Sequence, residues 1–207
     1  MNIIEFNDYF LNEVITLLKK KKKVNVMITG GKSIKKFYNY INSKIEKKIL
    51  KKINFFLSDE RVFENDLDTN FFFVKKNLFK GYKRKEFNFK SFFKKDKDLI
   101  ENLNYFDSIL PKIDIAIFSY GSDGHIASLF PGLDPQIKRK NVCFVYNKNN
   151  KYKFRISITL DFLAKVKNKF LFFIGPSKKK LLKKIKKKNI DNHPYFKIFK
   201  LKKLVTD

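Results

Sequence analysis

Short apolar segments alternate with amphipathic segments along most of this 207-residue chain. Each apolar segment is typical of a buried strand, and each is followed closely by glycine or by charged residues. Strands that alternate with helices favour a parallel sheet. We therefore predict an α/β fold: a Rossmann-like, mostly parallel sheet with helices on both faces, forming a single domain over residues 1–207. The strands are predicted at residues 24–29, 53–57, 113–118 and 170–174.

Helical spacing of apolar residues predicts the helices. The first helix is expected over residues 9–22, capped by Asn7 or Asp8. Residues 142–146 and 154–159 are two further strand candidates. Residues 80–97 show no clear period, and residues 201–207 are expected to be a short, weakly held end. The other helices are predicted from Ser33 to Lys44, from Thr69 to Phe79, from Asp98 to Leu110, and after Gly175 to about Lys188.

The chain carries a formal net charge of +27, which is typical of proteins that bind polyanions. Only four of its 47 basic residues are arginines, however, and the lysines are spread along the whole chain. Readout of base edges favours the flat guanidinium group of arginine. We therefore expect no specific nucleic-acid partner, and a basic nucleic-acid-binding module stays open as the non-enzyme alternative. The arginines are Arg61, Arg84, Arg139 and Arg155.

The cysteine content and the length of the apolar segments indicate the cellular location of the protein and the classes of site that it can contain. The single cysteine, Cys143, excludes an internal disulfide and a cysteine-based metal cluster. The apolar segments are far shorter than the roughly 20 residues that a membrane helix needs. The first residues also lack the basic and apolar regions of a secretory signal. We expect a cytoplasmic protein without a membrane partner, either a monomer or a weak homo-oligomer.

Residues 119–132 read Ser-Tyr-Gly-Ser-Asp-Gly-His-Ile-Ala-Ser-Leu-Phe-Pro-Gly and follow the third predicted strand. Parallel α/β sheets bind their ligands at the carboxyl ends of the strands. An imidazole placed there can exchange protons near neutral pH. His125, which follows Asp123 and Gly124, is therefore the main catalytic candidate. His193 has no such context and is expected on the surface.

Three further turns follow predicted strands and are expected to meet at the same edge of the sheet. Gly30-Gly31-Lys32-Ser33 and Gly175-Pro176-Ser177-Lys178 offer backbone N–H groups and a helix N-terminus, which suit a phosphate. Asp59-Glu60-Arg61 places three charges directly after a strand, where they face either a cleft or each other. The chain has no Gly-x-Ser-x-Gly elbow and no His-x-x-x-His spacing, so neither a serine nucleophile nor a zinc site is predicted. We expect no metal and no cofactor.

These motifs resemble, in order, those of the 6-phosphogluconolactonase family. Residues 121–132 are similar to the family's signature, and Asp59-Glu60-Arg61-Val62 with Asn70 resembles its second motif. Gly30-Gly31-Lys32-Ser33 is similar to the family's phosphate turn, from which Lys32, Ser33 and Ile34 depart. Residues 155–159 and Gly175-x-x-Lys178 resemble two weaker motifs.

The resemblance implies a metal-free enzyme that hydrolyses 6-phospho-D-glucono-1,5-lactone to 6-phospho-D-gluconate in the oxidative pentose phosphate pathway. It implies that His125 is the general base that activates water. Arg61, or backbone N–H groups of the Gly121–Gly124 turn, would stabilise the oxyanion. The catalytic residues expected on this basis are His125, Arg61 and Asp59; the substrate- and phosphate-binding residues are Gly30, Gly31, Ser33, Asn70, Gly121, Asp123, Gly124, Arg155 and Lys178.

A second enzyme class shares this fold and stays open as an alternative. Ile126, within Gly-His-Ile-Ala, is closer to the glucosamine-6-phosphate deaminases and isomerases. Arg61 stands where the deaminases have tyrosine, and residues 128–132 are similar to the lactonases. The resemblance therefore favours lactone hydrolysis, with a phosphorylated sugar lactone as the substrate.

Overall fold

The computed structural model of this chain describes residues 1–62, 65–89, 93–94, 96–187, 195, 198–199 and 203–207. Among these residues, six parallel strands form a central sheet. The mostly parallel α/β fold predicted from the sequence is confirmed. In spatial order the strands are β10 (Leu204–Thr206), β9 (Lys169–Phe173), β5 (Ile115–Ser119), β1 (Val24–Ile28), β2 (Ile53–Leu57) and β4 (Asn88–Phe89).

A second sheet pairs its four described strands antiparallel, and the sequence does not predict it. The strands expected over residues 142–146 and 154–159 exist, but they belong to this second sheet. Asp59-Glu60-Arg61, expected as a turn, is a short strand because its backbone pairs with the strand that contains Arg155. In spatial order the strands are β3 (Asp59–Arg61), β8 (Phe154–Ile158), β7 (Val142–Tyr146) and β6 (Ile137–Lys138).

Several helices begin where a short polar side chain can cap them. Thr69, Asp98 and Thr159 each accept a hydrogen bond from a backbone N–H group in the first turn of the following helix. None of the helices in the described ranges combines the length and the apolar character needed to cross a membrane. The helices are α1 (Ile3–Lys20), α2 (Lys35–Lys44), α3 (Lys47–Leu50), α4 (Asn70–Leu78), α5 (Leu99–Ile109), α6 (Leu160–Lys165) and α7 (Pro176–Lys187), with 3-10 turns at Lys32–Ile34, Asp66–Asp68 and Arg84–Glu86.

Helix α1 begins earlier than the sequence predicts. Asn2 and Glu5 form a capping box, in which each side chain accepts a hydrogen bond from the backbone N–H of the other. Asn7, expected as a cap, instead lies within the helix and is buried. The predicted start was therefore wrong, since the helix begins after Asn2, whose side chain accepts a hydrogen bond from a backbone N–H group of the first turn.

The segment expected to be a weakly held end contains strand β10. Leu204 and Val205 are buried, and β10 pairs with β9 at one edge of the central sheet. The expectation was therefore wrong for residues 204–206. Two apolar residues are too few to predict a strand from the sequence, but the open edge of β9 gives them a partner. Residues 201–202, His193 and the predicted helix end at Lys188 lie outside the described residues.

The order of the strands reverses between β1 and β5. From β1 the chain adds β2 and then β4 on one side, whereas β5, β9 and β10 follow one another on the other side. In open α/β sheets, a crevice at the carboxyl ends of the strands forms where the order reverses. The turns after β1 and β5 therefore border the position where a ligand site is expected.

Phenylalanine rings pack helices α1 and α2 against the central sheet. The ring centroids of Phe6 and Phe172 are 5.0 Å apart, and those of Phe10 and Phe37 are 5.1 Å apart, both in edge-to-face contact. These four rings are almost fully buried. Their burial and ring geometry stabilise the layer. This packing fixes the start of α2, which follows directly on the turn after β1.

Candidate active site

The turns that follow β1, β5 and β9 border one cavity of about 630 Å³. This volume is within the range of about 300–1,000 Å³ that is usual for small-molecule sites. Strands β3 and β8 and helix α4 contribute further polar side chains. The cavity therefore lies at the edge of the sheet where the sequence predicts a site.

Most of the predicted site residues line this cavity. Asp123 and Gly124 do not, although they lie in the same turn as His125. Ser119, Lys36 and Asp207 also line the cavity and are not predicted as site residues. The predicted residues that line it are Gly30, Gly31, Ser33, Asp59, Arg61, Asn70, Gly121, His125, Arg155 and Lys178.

His125 is held by a carboxylate within its own turn. Its ring Nδ1 is in hydrogen-bond contact with Asp123 Oδ1, and its backbone N–H donates to the same oxygen at 3.4 Å. The hydrogen bond from His125 lowers the pKa of Asp123 below its ordinary value, so this side chain stays a carboxylate near neutral pH. A carboxylate on Nδ1 leaves Nε2 as the basic nitrogen. Asp123, expected among the binding residues, thus orients the imidazole.

Glycine is required beside the imidazole because the chain passes very close to it. A Cβ atom at position 121 would lie 2.2 Å from His125 Nδ1 and 2.6 Å from Asp123 Oδ1. The Gly121 N–H donates to the carbonyl of His125 at 2.8 Å and closes the turn. Ala127 follows with a φ of 54°, a conformation that costs energy for a residue with a side chain. The conformation of this turn therefore determines the position of the imidazole.

Gly30 makes a similar close approach on the other side of the cavity. A Cβ there would lie 2.0 Å from Asn70 Oδ1, so the backbone after β1 contacts the amide of Asn70 directly. Asn70 is buried, and its Nδ2 donates to the carbonyl of Asp59 at 3.0 Å. The Asn70 side chain thus connects the start of α4 with the turn after β1 and with the first residue of β3.

The three consecutive charges of β3 have different surroundings. Glu60 is 1% exposed and does not line the cavity; its carboxylate accepts the backbone N–H groups of Arg61, Asn70 and Phe71. Burial raises the pKa of Glu60 to about 7 despite these bonds. Glu60 therefore caps α4, whereas Asp59 and Arg61 reach the cavity.

Asp59 lies in the cavity wall, is buried, and is hydrogen-bonded within the protein. Its carboxylate accepts hydrogen bonds from the hydroxyls of Ser58 and Ser128, both at 2.8 Å. It also forms an ion pair with Arg155 Nη1 at 3.8 Å. Asp59 is 3% exposed, so its first effect is to hold Ser128 and Arg155 in place.

Two arginines face each other across neighbouring strands of the second sheet. Arg61 and Arg155 are directly paired in the antiparallel register, and both line the cavity. Tyr152 lies against both, with its ring centroid 3.9 Å from Arg61 Cζ and 6.0 Å from Arg155 Cζ. Like charges placed opposite each other destabilise a sheet. This pair is therefore suited to an anion in the cavity.

The remaining hydrogen bonds of the two arginines differ. Arg155 donates to the carbonyl of Tyr152, to Ser128 Oγ and to Asn150 Oδ1. Burial lowers the pKa of Arg155 below its ordinary value, although nearby Asp59 opposes this. Arg61 donates through Nη1 to the carbonyl of Asp68, but its buried Nε has no hydrogen-bond partner among the described residues. A buried donor of this kind calls for an acceptor.

Lys178 brings a further cation into the cavity from the first turn of α7. Its Nζ is 2.9 Å from Ser33 Oγ and 2.6 Å from Ser119 Oγ. Burial lowers the pKa of Lys178 to about 8, while the charge of Asp123 acts in the opposite direction. The turns after β1, β5 and β9 therefore meet at this ammonium group.

Metal-binding residues are not grouped in the part of the chain that the structure describes. Across those ranges, no cluster of three or more His, Cys, Asp or Glu side chains could hold a metal ion. Cys143 is buried, and burial raises the pKa of its thiol to about 12. A thiol in this state is a poor nucleophile and a poor metal ligand.

A family model described as "Glucosamine-6-phosphate isomerases/6-phosphogluconolactonase" matches residues 3–205. The chain belongs to this family. A 6-phosphogluconolactonase from Borreliella burgdorferi is 31% identical to it over 185 residues, which cover 84% of this chain and 76% of the relative. The glucosamine-6-phosphate isomerase/6-phosphogluconolactonase family thus accounts for the order of motifs found in the sequence.

Solved structures show the same fold. A 6-phosphogluconolactonase from Plasmodium vivax has a TM-score of 0.75 and 24% identity, covering 100% of this chain and 88% of that one. One from Thermotoga maritima has a TM-score of 0.74 and 23% identity, covering 97% and 91%. At these identities the likeness concerns the fold alone, and it agrees with the Rossmann-like architecture described above.

Proposed function

We propose that this protein hydrolyses 6-phospho-D-glucono-1,5-lactone to 6-phospho-D-gluconate. The observation that carries the proposal is the placement of His125, oriented by Asp123, in one cavity with Arg61, Arg155 and Lys178. A base for water beside several cations fits a substrate with a reactive carbonyl and a phosphate. The lactonase from Borreliella burgdorferi within the same family supports this choice of substrate.

In the proposed reaction, Nε2 of His125 takes a proton from water as the water oxygen bonds to the lactone carbonyl carbon. The negative charge that develops on the carbonyl oxygen is stabilised by Arg61 or by backbone N–H groups of the Gly121–Gly124 turn. Arg61 lines the cavity together with His125, which places its guanidinium in the same site as the base. The bond from the carbonyl carbon to the ring oxygen then breaks, and the imidazolium returns its proton to that oxygen.

The phosphate is assigned to Lys178, Arg155 and the glycine turn after β1. Lys178, Arg155 and Ser33 supply donors, and the backbone at Gly31, where a Cβ would meet no atom within 4 Å, allows a close approach. The positive charge of the protein would also attract a phosphorylated substrate. Asp59 and Asn70 act on this site by holding its parts together, because both are buried and bonded within the protein.

The deciding experiment measures hydrolysis of freshly prepared 6-phosphogluconolactone against its spontaneous rate. A rate that rises in proportion to the protein concentration supports the proposal. A rate equal to the spontaneous one, with a folded protein, contradicts it. Glucosamine 6-phosphate in a parallel assay tests the deaminase alternative, and filter binding to DNA and RNA over a salt series tests the nucleic-acid alternative. The family comparisons favour neither alternative.

Chelation should leave the activity unchanged. The proposed reaction uses His125 and an anion-stabilising group, and the sequence offers no set of Cys and His ligands for zinc. We expect equal lactonase rates with and without EDTA after prolonged dialysis. A loss of activity that a divalent cation restores would show that a metal takes part.

Arg155→Lys should raise KM for the phosphorylated lactone by about tenfold, because an ammonium cannot hold two phosphate oxygens as a guanidinium does. Hydrolysis of the unphosphorylated lactone should change little, since His125 and Arg61 serve the carbonyl. Arg84→Lys, outside the cavity, is the matched control. Equal losses with both substrates would instead give Arg155 a structural role or a role at the carbonyl.

The cellular location and the oligomeric state of the protein are also part of this proposal. A buried, single cysteine and a family of enzymes of sugar phosphates are consistent with a cytoplasmic protein. We propose a monomer or a weak homo-oligomer, which sedimentation at several protein concentrations would test. A stable oligomer that persists on dilution would contradict this part of the proposal.

A further inference from the structure

Ser119 is the last residue of β5, and its hydroxyl lies within a closed group of three polar atoms. Ser119 Oγ is 2.6 Å from Lys178 Nζ and 2.7 Å from Ser33 Oγ, and the ammonium of Lys178 is 2.9 Å from Ser33 Oγ. The three residues come from three different parts of the sheet edge, after β1, at the end of β5 and after β9. All three line the cavity. We call these three residues the Ser119 cluster.

Counting the donors of the Ser119 cluster shows what kind of ligand it suits. Each serine oxygen accepts one N–H of the ammonium, and one hydroxyl donates to the other. An ammonium has three N–H groups and each hydroxyl has one O–H group. One N–H and one O–H therefore remain for a ligand, together with the positive charge. A ligand that carries only acceptors, such as a phosphate, completes this arrangement.

We propose that Ser119 is a positioning residue of the phosphate site. Its hydroxyl holds the ammonium of Lys178 and the hydroxyl of Ser33 at the distances at which both can bind one phosphate group. A lysine side chain has four flexible carbons and loses considerable freedom when it is fixed in one place. The hydrogen bond to Ser119 orders the lysine side chain before phosphate binds. Less conformational freedom is then lost on binding, which raises the affinity for phosphate. This inference rests on the proposed function for the identity of the substrate, but not for the binding of phosphate.

The test compares Ser119→Ala with Ser119→Thr, which keeps the hydroxyl, and with Ser108→Ala, an exposed serine outside the cavity. For Ser119→Ala we expect KM for the phosphorylated lactone to rise about tenfold, the effect of losing one hydrogen bond to a charged group. The kcat value should stay near that of the unchanged protein, because His125 is untouched. Ser119→Thr should restore most of the affinity, and Ser108→Ala should change nothing.

Calorimetry separates this proposal from the proposed function. The dissociation constants of 6-phosphogluconate and of inorganic phosphate are measured for each variant, with no need for turnover. A weaker Kd of Ser119→Ala for both ligands, with recovery in Ser119→Thr, supports the proposal even if the protein hydrolyses no lactone. An unchanged Kd, or no binding of either ligand by the unchanged protein, overturns it. If Ser119→Ala does not fold, Ser119→Gly removes the same hydroxyl, and its Kd decides the question.

Discussion

His125→Asn should lower kcat for 6-phosphogluconolactone by roughly 10²–10⁴-fold, the usual contribution of general acid–base catalysis. Asparagine is smaller than histidine and can still accept or donate a hydrogen bond, but it cannot take a proton from water near neutral pH. The side chain of His125 is about a quarter exposed at the cavity wall, so the substitution should leave the fold intact. Initial rates after subtraction of spontaneous hydrolysis are the measurement.

His193→Asn, at the chain's other histidine, is the matched control and should keep the full rate. The thermal midpoint of unfolding should be similar for both variants. Near-normal turnover by a folded His125→Asn protein would remove His125 from the mechanism and leave the base to be found among other groups.

Gly121→Ala should lower kcat by about 10²-fold or more while the protein remains folded. The added Cβ would lie 2.2 Å from Nδ1 and 2.4 Å from Cε1 of His125, so the imidazole must move. A displacement of about 1 Å of a catalytic group is enough to cost about 10²-fold in rate. The measurement is kcat with the phosphorylated lactone, together with the Kd of 6-phosphogluconate.

Because the residues that we propose for phosphate binding lie on other turns, the Kd should change much less than kcat. Gly81→Ala is the control: a Cβ there would meet no atom within 4 Å, although the residue has a positive φ of 82°. The control therefore strains the backbone outside the cavity but does not displace the imidazole. If Gly121→Ala turned over substrate as fast as Gly81→Ala, the position of the imidazole beside Gly121 would not matter for the reaction.

The sequence predicts the central sheet and the turns after its strands because the signals there are local. Residues 24–28 and 115–118 are apolar runs that end near glycines, and burial on both faces of a parallel sheet produces such runs. The turns of Gly30 and His125 follow directly. Their meeting at one cavity then depends only on the parallel direction of the strands.

Other features depend on contacts that no local pattern encodes. Strand β3 consists of three charged residues, and only its pairing with β8 makes it a strand. Strand β10 has two buried residues and needs the edge of β9. Asp123 and His125 are close in sequence, but their side chains form a hydrogen bond only because the chain makes a tight turn at Gly121. Ser119 is missed as a site residue because its role depends on Lys178, which is remote along the chain.

The Ser119 cluster also bears on how the reaction ends. Hydrolysis changes the lactone carbonyl and leaves the phosphate untouched, so the phosphate site that we propose at Ser33 and Lys178 would hold substrate, transition state and product alike. Binding that is equal in all three states lowers KM without raising kcat. The same contacts would therefore retain 6-phosphogluconate after ring opening, and we expect product inhibition to accompany tight phosphate recognition.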